Sequence, residues 1–89
     1  MITPEQSRMA RAALNLSGGD FAKMAGVGIN TVSRFEQGAD TRTSSVEAMA
    51  RALEAKGVVF LGANDVSLAG GVGVRLPIAR QSTDTQGQG

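Results

Sequence analysis

The chain has no cysteine and no histidine. Without thiols it forms no disulfide and carries no thiolate chemistry, and without either residue it lacks zinc-finger ligands. The missing imidazole excludes a Ser–His–Asp arrangement and the commonest general base. Tryptophan and tyrosine are absent too, and aromatic residues make up only 3% of the chain, all of them Phe. No apolar run approaches the length of a membrane span, and the N-terminus lacks the apolar stretch of a signal peptide. The expectation is a cytoplasmic protein with no membrane partner. Glu5 falls on the first predicted helix and Glu47 and Glu54 on the fourth, seven residues apart, and nothing pairs them as catalytic carboxylates. The glycines of residues 62–73 lack the lysine of a nucleotide-binding loop. An enzyme is not expected, nor a cofactor, a metal or a small-molecule ligand.

What is present fits a small helical domain. The 89 residues allow one domain, and 42% of them are apolar. With so few aromatics the core must consist of Ala, Leu, Val and Met, which suits short, closely packed helices. A domain of this size is marginal alone, and dimerisation would stabilise it. The formal net charge is only +1, so no whole-chain basic bias points to nucleic acid. Seven of the nine basic residues are Arg, whose fork suits phosphates and guanine edges.

Capping signals mark the elements. Thr3, Pro4 and Gln6 open a helix over residues 4–15, with Ala10, Ala13 and Leu14 on its buried face and Met9 beside it. Ser17 and Asp20 open a second over 18–25, burying Phe21, Ala22 and Ala25, and Gly26 ends it in a left-handed conformation. A third covers 29–37, with Val32 and Phe35 inward, and stops at Gly38. Ser44 and Glu47 read as another capping box, opening a helix over 44–56 with Val46, Met49, Ala50 and Leu53 as its apolar stripe. The period then changes. Residues 58–61 and 72–76 are β-prone, and Pro77 ends the second run. Two strands joined by a long loop make a ribbon that must pack on the helices or pair with another chain. The polar residues 81–89 read as a disordered tail. The domain organisation predicted is a helical DNA-binding unit over 1–57, a ribbon extension and dimerisation element over 58–80, and the tail over 81–89.

The spacing of Ala22, Gly26 and Val32 within residues 18–35, GGDFAKMAGVGINTVSRF, describes one short helix, a tight corner and a second helix. That arrangement presents a helix to the major groove of DNA. The second helix exposes Gly28, Ile29, Asn30, Ser33 and Arg34, backed by Val27, Val32 and Phe35. Arg34 can grip a guanine edge with both arms, or be an ordinary solvated arginine. Asn30 can read adenine, or bond its own first turn. Ser33 can face a base or a phosphate. An exposed Ile29 calls for an apolar neighbour, either a thymine methyl or a partner protein. Lys23 and Arg42 flank this helix and suit phosphates, as does Arg8, or they are simple solvating charge.

The residues Arg11, Leu16-Ser17, Ala22, Ala25-Gly26-Val27, Thr31-Val32, Phe35-Glu36 and Gly38 resemble the Xre/Cro family of phage-repressor-like helix-turn-helix regulators over roughly residues 4 to 56. The run from Leu53 to Phe60, with that from Gly71 to Leu76, looks like a subgroup of small bacterial members bearing a C-terminal strand pair. The resemblance implies a mainly α fold, a four-helix repressor-like domain with a two-stranded β-ribbon. It implies that Gly28, Ile29, Asn30, Ser33 and Arg34 enter the major groove with Thr31 near the backbone, and that Arg11 and Glu36 form a structural salt bridge. Gly18 stands where the family's phosphate-binding glutamine usually opens the second helix, and Gly28 where a Ser or Thr usually caps the third. The expected function is that of a sequence-specific double-stranded DNA-binding transcriptional regulator, a repressor acting as a homodimer on a palindromic operator. Two alternatives stand beside it: an antitoxin-like autorepressor whose C-terminal segment holds a toxin, and a protein-interaction module that has lost DNA binding.

Overall fold

A computed structural model describes residues 1–62 and 73–76. Four helices precede two strands: α1 (Pro4–Ala13), α2 (Gly18–Ala25), α3 (Ile29–Glu36), α4 (Thr43–Ala55), β1 (Val59–Leu61) and β2 (Gly73–Arg75). The predicted order and type of elements hold, with ends shifted by one or two residues. The expected tail over 81–89, most of the connecting loop, Val72 and Pro77 lie outside the described residues.

Local chemistry explains where the first helices begin. The Thr3 hydroxyl accepts from the Gln6 amide, and the Gln6 side chain accepts from the Thr3 amide, so the box closes from both sides. Ser17 accepts from the Asp20 amide at the start of α2. Gly26 ends α2 with φ +75°, the left-handed region that a β-carbon disfavours. Asn15 does the same work after α1 with φ 59°, a conformation asparagine tolerates better than most side chains.

The helix α4 departs from its predicted start. Its N-cap is Arg42, with no side-chain capping bond, and Ser44 sits inside the first turn. The Ser45 and Val46 amides already bond the Arg42 carbonyl, so the helix begins before Ser44 can cap it. The expected Ser44–Glu47 box is therefore absent, and both residues are exposed.

The core gathers Phe21 and Ala22 of α2, Val32 and Phe35 of α3, Val46, Met49 and Leu53 of α4, with Ala10, Ile2 and Val58. The buried face of α1 is more polar than its periodicity predicts. Ala10 is buried and Leu14 packs against the core, but Ala13 and Met9 are exposed. Gln6 and Ser7 take the inward positions instead, at 3% and 0% exposure. Burying them is tolerable because both are hydrogen-bonded. Ser7 Oγ donates to Glu36 Oε2 at 2.7 Å, and Gln6 Nε2 donates to the Leu61 and Gly73 carbonyls at 2.9 and 3.0 Å. These last two bonds dock the ribbon on α1. The strands are antiparallel, with Phe60 opposite Val74, and Phe60, Val74 and Leu76 pack against the core.

Candidate nucleic-acid interface

The turn from α2 into α3 is fixed by backbone bonds: the amides of Gly26 and Val27 both donate to the Ala22 carbonyl, at 2.9 and 3.0 Å. Gly28 then caps α3 with extended backbone and no side-chain bond. Behind the helix, Val32 and Phe35 are buried at 1% and 7% exposure. In front of it, Gly28, Ile29, Asn30, Ser33 and Arg34 are all exposed, while Thr31 is half-buried. The sequence thus gives α3 one face that anchors it and one that is free to touch something else.

The last turn of α3 is held by charge. Arg11 Nη2 meets Glu36 Oε1 at 2.8 Å and Arg11 Nε meets Glu36 Oε2 at 3.2 Å. Arg11 Nη1 also donates to the Leu16 carbonyl at 3.1 Å, tying the α1–α2 link into the same network. Donating hydrogen bonds to Glu36 holds the Arg11 guanidinium above its ordinary pKa, against the opposing effect of burial and with a further Coulombic contribution from the Glu36 charge. The ion pair named in the sequence is therefore formed, and Ser7 is the third member that sequence reading missed. Its partner lies on another helix, 29 residues away, so no local pattern announces it.

The sequence-predicted contact residues fall on two flanks of α3. Towards α1 and α2 lies a groove of about 710 Å³, bordered by Ile29, Ser33, Arg8, Gly18 and Gly19, with Val32 and Gln37 along α3. Towards α4 lies a smaller, polar hollow of about 350 Å³ that brings Thr31, Arg34 and Arg42 together with Thr41, Ser45 and Asp40. Asn30 and Lys23 are exposed but border neither. Arg8 Nη1 donates to the Glu36 carbonyl, so its guanidinium is directed to the C-terminal end of α3. Gln37 was not singled out in the sequence, yet its side chain stands exposed one turn beyond Ser33, with Nε2 at 3.4 Å from Ser33 Oγ. Its spacing of four from Ser33 was the available signal.

Among the described residues, no group of acidic side chains is arranged to hold a metal ion, and no helix is long and apolar enough to cross a membrane.

A stretch of 44 residues, 49% of this chain, is 51% identical to a protein of Archaeoglobus fulgidus that carries the provisional name HTH-type transcriptional regulatory protein. The match covers 14% of that protein's length. A family profile described as a helix-turn-helix domain, a non-catalytic class, matches residues 7–60. The matched span runs from within α1 through α4 and reaches into β1, in keeping with the Xre/Cro-like pattern of its residues, and the chain belongs to the helix-turn-helix domain family.

Proposed function

We propose that this protein is a sequence-specific double-stranded DNA-binding regulator of transcription that lays α3 in the major groove. One observation carries the reading: α3 turns a continuous exposed row, Ile29, Asn30, Ser33 and Arg34, away from a face locked to the core. Arg34 and Arg42 border one hollow beside it, which supplies cationic donors where a phosphate backbone would pass. Base reading then falls to Gly28, Ile29, Asn30, Ser33 and Arg34, and phosphate contact to Arg8, Lys23, Thr31 and Arg42.

Binding titrations against a selected site and a scrambled duplex, each at several salt concentrations, test this. Replacing Arg34 by Ala should cost about 1–3 kcal/mol on the selected site and relax preference at one position. Replacing Lys23 or Arg42 should weaken both duplexes about equally and reduce the salt slope by about one unit. Unchanged discrimination in Arg34→Ala would remove its base-reading role.

The regulator is further proposed to act as a homodimeric repressor, each α3 occupying one half-site of an approximate palindrome, about 34 Å apart. Support comes from the ribbon. Among the described residues it has two strands, which leaves edges open to pairing, and Val59 on β1 is 48% exposed, an arrangement that favours a second copy at the ribbon. Deleting the chain from Gly57 onward would also remove Val58, Phe60 and the strand carbonyls that Gln6 binds, so a point change is the cleaner probe. Val59→Lys should leave the helical circular dichroism unchanged and shift sedimentation from dimer to monomer. A dimer that persists in Val59→Lys would place the interface on the helices.

The competing reading, a protein-interaction module, is favoured by the exposed Ile29 and by the net charge of +1. Failure to select any sequence from random duplexes would support it. An antitoxin role would instead have the ribbon face capture a toxin.

A further inference from the structure

Ile29 is 58% exposed at the first position of α3. It is the only large apolar side chain that this helix turns outward. Its Cδ1 lies beside Gly19 of α2, 3.6 Å from where a β-carbon on that residue would stand. Beside it the place of a Gly18 β-carbon has no atom within 4 Å. The two glycines, which as poor helix formers have no local advantage in the first turn of α2, stand beside Ile29, and the flank at Gly18 is open. The floor of that flank is Val32.

Resting on the DNA-binding reading above, we infer that Ile29 reads the C5-methyl group of a thymine at the start of each half-site. The methyl is the one apolar group that base pairs display in the major groove. Ile29 has no donor or acceptor, so it can gain nothing from the polar base edges. The surroundings fit a polyanion that carries the methyl. Arg8 lies on the same groove and Arg34 on the opposite flank of the helix, while the Glu36 carboxylate is already engaged by Ser7 and Arg11.

The test uses the full chain. A binding site is selected from random-sequence duplexes, and each thymine in it is then replaced by uracil, which removes only the methyl. At one thymine per half-site the affinity should fall about fourfold, the value of one buried methyl-sized group. The Ile29→Ala protein should bind the thymine duplex correspondingly less well and be indifferent to uracil there. A selected site that tolerates every uracil replacement, or whose sensitivity persists in Ile29→Ala, overturns the inference and leaves DNA binding intact. Failure to select any sequence overturns the DNA-binding reading itself, and this inference with it.

Discussion

Replacing Phe21 by Ala is expected to lower stability by about 3–5 kcal/mol, the usual cost of emptying a buried aromatic site. Phe21 is the largest fully buried side chain, at 0% exposure, and sits where α2 meets the core residues of α3 and α4. The other two rings, Phe35 and Phe60, already hold places of their own in or against the core, so filling the gap with either would empty another site. For a domain this small, total stability is on the order of 5–10 kcal/mol, so the change consumes a large fraction of it. Thermal melting followed at 222 nm should show the midpoint falling by roughly 15 °C or more. Ile29→Ala, made beside it, should change stability by no more than about 0.5 kcal/mol, because its side chain is exposed. A loss below about 1 kcal/mol in Phe21→Ala would mean that α2 does not pack as described.

Glu36→Ala should cost about 3 kcal/mol, and the reason is what it leaves behind. Ser7, at 0% exposure, would hold a hydroxyl with no carboxylate to donate to, and Arg11, whose side chain is 27% exposed, would keep a partly buried charge without its partner. Breaking one side of such a network is far more destructive than removing all of it. The combined change Ser7→Ala, Arg11→Met and Glu36→Leu should therefore recover most of the loss. Denaturant titration of the single and triple variants measures both. Equal destabilisation in the two would show that the network contributes attraction well beyond its desolvation cost. The network also joins α1 to the last turn of α3, so Glu36→Ala should blunt sequence discrimination even in conditions where it stays folded.

The helices were legible where the cause of structure is local. Thr3 and Ser17 cap within three residues of themselves, and Gly26 sets its own backbone angle. At α4 the same logic failed. Ser44 and Glu47 have the right spacing, but the backbone had already entered the helix at Arg42. On α1 the error had a different origin. The apolar spacing places Ala10, Ala13 and Leu14 on the buried face with Met9 beside it; Ala10 and Leu14 do face the core, but Gln6 and Ser7 take the other inward positions because their partners lie on β1, β2 and α3. Nothing within a helix window shows that a glutamine will find two strand carbonyls more than 50 residues away. The exposed row on α3 could be read from the positions of Val32 and Phe35. Its division into an apolar groove at Ile29 and a polar hollow at Arg34 depends on which neighbour flanks each side, and so emerged only from the packing.

Gln6 ties together parts of the chain that a fragment would separate. Its oxygen accepts from the Thr3 amide while its nitrogen holds Leu61 and Gly73. The first helical turn and the ribbon therefore share one side chain, and neither can open without disturbing the other. Amide hydrogen exchange gives this a direct readout. The Thr3 amide, although near the start of the chain, should exchange in step with the ribbon rather than with a freely fraying terminus. Whatever covers or peels back the ribbon would then be felt at the first turn of α1, and through Ser7, the next residue, at the base of the helix proposed to read DNA.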